Sequence, residues 1–207
     1  VTGVQTCALP IYSLSAGMLA SDNLCVHNLV RNCNEEQKRT YLPGFCDGSY
    51  IGALGMTEPG AGSDALGSMA TTARRDGDDY VLNGRKLFIT NGPVADVLLV
   101  YAKTDLEKKQ HGISAFIVES AYAGFSVAQK LDKMGWRGSP TGELVFDECR
   151  VPAGNLVGTE NKGNVVMMSG LDIERVIGAL FSLGMAQRAF DLALDYATQR
   201  KIGRAHV

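Results

Sequence analysis

The stretch YVLNGRKLFIT, residues 80–90, gives the first indication of the fold class of this chain. It is rich in β-branched and aromatic residues, and its Asn83-Gly84 dipeptide strongly favours a two-residue hairpin turn. Asp76-Gly77-Asp78 marks another turn just before it. Further apolar runs follow at nearly regular spacing: VLLVYAK (97–103), ISAFIVE (113–119), FSVAQK (125–130) and ELVFDEC (143–149). Regularly spaced strands without helices between them predict an antiparallel sandwich or barrel, and they argue against a doubly wound sheet.

Helical segments flank this β region. Residues 13 to about 42 predict two helices, LSAGMLASDNLCVHNLV and NEEQKRTYL, with Asn34 as the N-cap of the second. Residues 161–201 predict a long helix whose apolar residues recur at helical spacing and form a wide buried stripe. The predicted class is therefore α+β: a middle β-domain at 50–155 between the helical segments 13–49 and 161–201.

Composition excludes several classes of protein. The 207 residues are 45% hydrophobic and 20% charged, and the net charge of −2 comes without a basic block, which argues against a nucleic-acid partner. No apolar run reaches the roughly 18 residues of a membrane span. The five cysteines are scattered without a C-x-x-C pair, and the three histidines lie far apart. This predicts neither a disulfide framework nor a metal site, and it suits a reducing compartment.

The two ends break the local patterns. Residues 1–12, VTGVQTCALPIY, and residues 202–207 resemble translated sequencing-adapter read-through. We interpret them as a non-native leader and tail, and the chain as a fragment.

Two motifs in the β region are candidates for ligand contact. MTEPGAGSD, residues 56–64, combines a proline, two glycines and polar side chains, so its exposed backbone N–H groups can meet a ligand's oxygens. KLFITNG, residues 86–92, alternates an aromatic residue and a threonine at the end of a strand. Taken alone, each motif is better explained by structure: a glycine-rich connection in the first case, and a core phenylalanine beside a turn in the second.

The helical stretch SGLDIERVIG, residues 169–178, places Glu174 on an apolar helix between Gly170 and Gly178. Residues four apart are neighbours on a helix, so these glycines would clear a hollow around the carboxylate. A carboxylate in an enclosed hollow has a raised pKa and can act as a general base. Close packing of a second helix on the glycines explains the pattern equally well.

Taken together, these motifs resemble the acyl-CoA dehydrogenase family, and within it the isovaleryl-CoA dehydrogenase group. The matching stretches are MTEPGAGSD, GRKLFITNG, LDKMGWRGSPTGELVFDECRVPAGNLVG, GLDIERV and GMAQRAFDLALDYATQRK, in family order across residues 13–201. The resemblance implies FAD as cofactor, an acyl-CoA substrate, electron-transferring flavoprotein as electron acceptor, and a homotetramer. It also implies that most of the N- and C-terminal helical domains are missing.

The resemblance assigns roles to individual residues. Glu174 matches the catalytic base of the isovaleryl group, which removes the substrate's α-proton, while Asp172 and Arg175 would frame the CoA part. Ser63 would also approach the acyl-CoA, and Arg200 would reach the FAD of an adjacent subunit. The implied FAD-binding residues are Leu54, Met56, Thr57, Gly62, Ser63, Phe88, Ile89, Thr90 and Arg200.

Two departures from the family pattern leave alternatives open. Ile202-Gly203 stands where the family has a Phe-Gly step, and Gly178 and Phe181 stand where the isovaleryl group has other residues. The acyl pocket is thus open to a different chain, and a non-catalytic acyl-CoA-binding fragment or an oxidase on the same fold are further readings. The bacterial cytoplasm is the favoured location, with the mitochondrial matrix as the alternative.

Overall fold

The structure is a computed structural model that describes residues 12–201, without the side chains of residues 12, 13 and 181. The segments interpreted as non-native, 1–12 and 202–207, lie outside the described residues apart from the backbone of residue 12. The chain divides into two compact units, one up to Gly170 and one from Leu171 onward. The first holds the sheet and the N-terminal helices, and the second is helical.

The N-terminal segment is helical, as predicted. Asn34 caps its last helix in a capping box, accepting from Gln37 N at 2.8 Å while Gln37 Oε1 accepts from Asn34 N at 3.0 Å. That helix ends at Gly48, whose φ of 83° closes it several residues beyond the predicted end. The elements are α1 (Tyr12–Leu19), a π-helical turn (Ala20–Val26), α2 (His27–Asn32) and α3 (Glu35–Asp47).

One eight-stranded sheet forms the middle of the chain, and it confirms the predicted α+β class. Its strands are β1 (Gly52–Gly55), β2 (Thr72–Asp76), β3 (Asp79–Thr90), β4 (Val97–Lys103), β5 (Ile113–Glu119), β6 (Phe125–Lys130), β7 (Thr141–Pro152) and β8 (Leu156–Val157). They follow the order β6-β7-β3-β2-β4-β5-β8, with β1 beside β4. Most pairs are antiparallel, but β1 and β2 each pair with β4 in parallel. Tyr80, Leu98 and Phe116 are among the buried residues of its core.

The hairpin predicted at Asn83-Gly84 is wrong. Both residues lie inside the continuous strand β3, and the chain instead turns at Gly77, whose φ is 61°, between β2 and β3. The pairing of β3 with β7 shifts register between Leu82 and Gly84, which marks a β-bulge. Asn83 exchanges hydrogen bonds with Glu148 across this bulge, at 2.7 and 2.9 Å. Long-range pairing with β7 therefore overrides the local turn preference of the dipeptide.

A single helix, α4 (Gly163–Gln199), covers the predicted C-terminal segment. The predicted buried stripe is wrong for residues beyond Leu171, since Val176, Leu180 and Tyr196 are each more than 60% exposed. The described helical residues of the second unit belong to one helix, and one helix cannot bury its own apolar face without another element against it. Within the described residues, no helix has the length and apolar character needed to cross a membrane.

Candidate functional site

A buried ion pair anchors the predicted ligand-contact loop to β3. Lys86 Nζ lies 2.8 Å from Glu58 Oε1, with side chains 0% and 4% exposed, and also donates to Met56 O at 3.2 Å. The next backbone N–H, that of Leu87, donates to Thr57 O at 2.8 Å. Burial lowers the pKa of Lys86 to about 8 against the opposing effect of Glu58. Burial alone would raise the pKa of Glu58, but Lys86 and nearby N–H donors hold it below its usual value.

Glu58 also closes the loop on itself. Its Oε2 accepts from Ala70 N at 2.6 Å, and its Oε1 accepts from Thr71 N at 3.0 Å. Thr71 is fully buried and lies against Gly84 of the bulge, where an added Cβ would come within 2.5 Å of Thr71 Oγ1. Sequence reasoning missed Glu58 and Lys86, although charged residues beside an apolar strand pattern were an available signal.

The tip of the loop is a tight turn that leaves its glycine and serine exposed. The backbones of Glu58 and Ala61 exchange hydrogen bonds at 3.0 and 3.1 Å around the turn. Gly62 and Ser63 follow it and face solvent, and an added Cβ on Gly62 would meet nothing within 4 Å. Asp64, also exposed, accepts from Gly67 N and from Ser68 Oγ. The loop therefore has a hydrogen-bonded turn at Glu58 and Ala61 and a solvent-exposed tip at Gly62 and Ser63.

The end of β3 carries an aromatic side chain in an unusual conformation. Phe88 has φ of 60° and is 63% exposed, whereas the adjacent Ile89 is 3% exposed and Thr90 is half-buried. Asn91 follows, also at positive φ, and its Nδ2 donates to Gly17 O at 2.7 Å and to Gly52 O at 3.1 Å. A bulky residue in the left-handed region is strained, and such strain clusters at functional sites. The predicted core role of Phe88 in the purely structural reading does not hold.

The residues of this first site fit a planar, hydrogen-bonding ligand such as the isoalloxazine ring of a flavin. No acceptor in the described part of the chain pairs with the backbone N–H groups of Thr57 or Ser63. These donors stand on the same loop as the open position at Gly62. Phe88 offers an exposed aromatic face two residues along β3 from the anchoring Lys86. Free donors beside an exposed aromatic ring are the groups that a planar, hydrogen-bonding ligand requires.

A second group of residues beside Thr90 was not predicted. Thr90 pairs with Thr141, and Lys133 Nζ donates to Thr141 Oγ1 at 2.8 Å and to Ser139 O at 2.6 Å. Burial lowers the pKa of Lys133. Residues between 130 and 140 line a cleft of about 330 Å³. Trp136 in the same segment has a φ of 54°. This cleft lies next to the end of β3 because β3 pairs with β7, and no local sequence pattern reveals that long-range pairing.

The predicted catalytic glutamate and its neighbours belong to the second unit. Glu174 is half-buried, and burial raises its pKa while Arg175 opposes the shift. Asp172 and Arg175 form an exposed ion pair at 3.7 Å on the same helical face. Arg200 is exposed just beyond the helix, roughly 39 Å along the axis from Glu174 at 1.5 Å per residue. The structure therefore groups three of these residues and separates the fourth.

Packing against α2 explains Gly170, so no hollow around Glu174 is needed to account for this glycine. It is buried in the first unit, and an added Cβ would collide with the amide of Asn28 on α2. Ser169 beside it accepts from Asn32 Nδ2 at 3.2 Å. Gly170 thus permits close helix packing, the alternative that the sequence left open. Gly178 meets nothing within 4 Å.

Two family models match the chain. Residues 53–149 match the family described as "Acyl-CoA dehydrogenase, middle domain", and residues 161–207 match "Acyl-CoA dehydrogenase, C-terminal domain". Together they cover most of the sheet and the whole of the long helix.

Individual proteins agree with this match. The mitochondrial isovaleryl-CoA dehydrogenase of Pongo abelii is 54% identical over 184 residues, which are 88% of this chain and 43% of the relative. The mitochondrial 2-methylacyl-CoA dehydrogenase of Solanum tuberosum is 49% identical over 94% of this chain and 48% of its own. The solved butyryl-CoA dehydrogenase from Megasphaera elsdenii superposes with a TM-score of 0.89 at 41% identity, covering 93% of this chain and 50% of that one. The chain thus spans about half the length of the relatives it matches.

Proposed function

The chain belongs to the acyl-CoA dehydrogenase family, and on that premise we propose that the full-length protein is an FAD-dependent acyl-CoA dehydrogenase. Its substrate is a short or branched-chain acyl-CoA, with isovaleryl-CoA first, and its product is the 2-enoyl-CoA. Identity to relatives named isovaleryl-CoA dehydrogenase supports the substrate.

The observation that carries this proposal is the exposed, strained Phe88 beside a loop with free N–H donors. Phe88 offers an exposed aromatic face on which the planar isoalloxazine ring can stack. The family's members are FAD-dependent flavoproteins. We assign the isoalloxazine contacts to Phe88, Ile89 and Thr90, and the loop contacts to Leu54, Met56, Thr57, Gly62 and Ser63. Arg200 would serve the FAD of an adjacent subunit.

The reaction needs a base for the α-proton and an acceptor for the β-hydride. Bound FAD supplies that acceptor. Glu174 takes the proton from Cα as the Cα–Cβ double bond forms, and its raised pKa suits a carboxylate that must bind a proton from a weak carbon acid. Asp172 and Arg175 contact or frame the CoA part, and Ser63 approaches the acyl-CoA.

The electron acceptor and the assembly belong to the same proposal. Electron-transferring flavoprotein would reoxidise the cofactor, and the full-length protein would form a homotetramer. Both follow from the family resemblance of the motifs. The bacterial cytoplasm stays the predicted location, with the mitochondrial matrix as the alternative.

The test is anaerobic reduction of the flavin in the full-length protein. Isovaleryl-CoA should bleach the flavin absorbance of the wild type, and Glu174→Gln should bind FAD equally well but show no bleaching. Asp195→Asn, an exposed carboxylate on the same helix, is the matched control and should bleach normally. Reduction that survives in Glu174→Gln would refute the assignment of the base.

A different acyl chain is the main alternative, because a relative named 2-methylacyl-CoA dehydrogenase matches almost as well. Ranking isovaleryl-, 2-methylbutyryl- and butyryl-CoA by kcat/KM separates these substrates. Peroxide production in air would reveal an oxidase, and a colourless protein that binds acyl-CoA would favour the binding module.

A further inference from the structure

We infer that Glu58 and Lys86 are positioning residues: their buried ion pair closes the loop from Met56 to Thr71 and holds it against β3 in the conformation that accepts FAD. This inference rests on the proposed function for the flavin and extends it to two residues, one in each ligand-contact motif, to which the sequence analysis assigned no role.

The geometry ties three parts of the chain to one pair of charges. Glu58 accepts from Ala70 N and Thr71 N at the far end of the loop. Lys86 donates to Met56 O at its near end and to Glu58 itself. The loop is therefore closed at its base, and both ends are fixed to the same strand.

The attraction between the two charges does not by itself explain why they are buried. Taking two charges out of water is so unfavourable that well-packed apolar residues are often as stable in the same place. Here, however, apolar replacements would strand three backbone groups, those of Met56, Ala70 and Thr71, which the charged atoms satisfy. The pair thus specifies one loop conformation among those that a glycine-rich segment can adopt.

The same strand carries the flavin platform, which connects the pair to binding. Leu87, between Lys86 and Phe88, donates to Thr57 O at 2.8 Å. A loop that shifts away from β3 therefore moves the free N–H groups of Thr57 and Ser63 relative to Phe88. We expect misplacement of these donors to weaken FAD binding before it unfolds the protein.

The experiment uses the full-length protein stripped of FAD, with variants Glu58→Gln, Lys86→Met and the nearly isosteric double variant. The double variant leaves no unpaired buried charge, so it keeps the test valid if a single variant does not fold. The matched control is Tyr41→Phe, which removes a 2.8 Å hydrogen bond to Glu119 between α3 and the sheet, away from the loop. Hydrogen exchange at Ala70 and Thr71 reports on loop closure, and titration with FAD reports on affinity.

The expected result is that each loop variant exchanges these amides at least about tenfold faster and binds FAD at least about tenfold more weakly, a change of about 1.4 kcal/mol. The double variant should exchange these amides no faster, and bind FAD no more weakly, than the more strongly affected single variant, because the two residues act as a unit. Tyr41→Phe should lower thermal stability with FAD affinity unchanged.

Two results overturn the inference in distinguishable ways. If the wild type binds FAD and the folded double variant binds it as tightly, the pair is structural and only this inference fails. If the wild type binds no FAD at all, the proposed function fails and takes the inference with it.

Discussion

Gly84→Ala should destabilise the protein far more than an alanine in a strand usually does. The new Cβ would lie 2.5 Å from Thr71 Oγ1 and 2.7 Å from Thr71 Cα, where carbon contacts are ordinarily about 3.5–4.0 Å. Thr71 cannot retreat easily, since it is fully buried and Glu58 holds its N–H. Overpacking adds about 1–3 kcal/mol and the φ of 150° about 1–3 kcal/mol, so the free energy of unfolding should fall by about 2–6 kcal/mol.

Urea unfolding of the full-length protein, followed by circular dichroism, measures this loss. Gly154→Ala is the matched control, because an added Cβ there meets nothing within 4 Å, and its unfolding midpoint should stay close to that of the wild type. Hydrogen exchange should also show faster opening at Thr71 in Gly84→Ala. A loss below about 1 kcal/mol, the ordinary range for surface changes, would show that the bulge yields and that the reasoning is wrong.

Two further predictions concern the flavin platform and the base. Phe88→Gly should change the stability of the FAD-free protein by no more than about 1 kcal/mol, because relief of the strained positive φ offsets the greater conformational entropy that glycine loses on folding. FAD affinity should nevertheless fall at least about tenfold. Calorimetry and FAD titration check both halves, and tight FAD binding by the variant would contradict the platform. Arg175→Gln should move the acidic limb of the kcat/KM profile to higher pH, since Arg175 opposes the burial that raises the pKa of Glu174. Arg188→Gln on the same helix is the control, and an unmoved limb would contradict this role.

Local patterns were sufficient to predict most of the secondary structure. Strands β4, β5 and β6 occupy the residues of the apolar runs that predicted them, and Asn34 caps α3 through the side chains expected at a helix start. These features depend on neighbours in sequence, such as alternation along a strand or a capping side chain three residues from its partner. The family motifs were likewise readable because each is contiguous.

Tertiary pairing decided the features that no local pattern contains. Asn83-Gly84 is a hairpin by local preference, but β7 pairs across it and makes it a bulge whose glycine admits Thr71. Glu58 and Lys86 stand 28 residues apart, and only the folded sheet brings their charges to 2.8 Å. The positive φ and the exposure of Phe88, and the closed base of the neighbouring loop, likewise depend on contacts between residues that are distant in the chain. The class and the order of the elements could be predicted from the sequence because they follow from short-range physics, and the candidate residues came from contiguous motifs that resemble the family. The conformation of the loop and the role of the buried pair could be seen only in the folded structure, because the effect of a buried charge depends on partners that are distant in the chain.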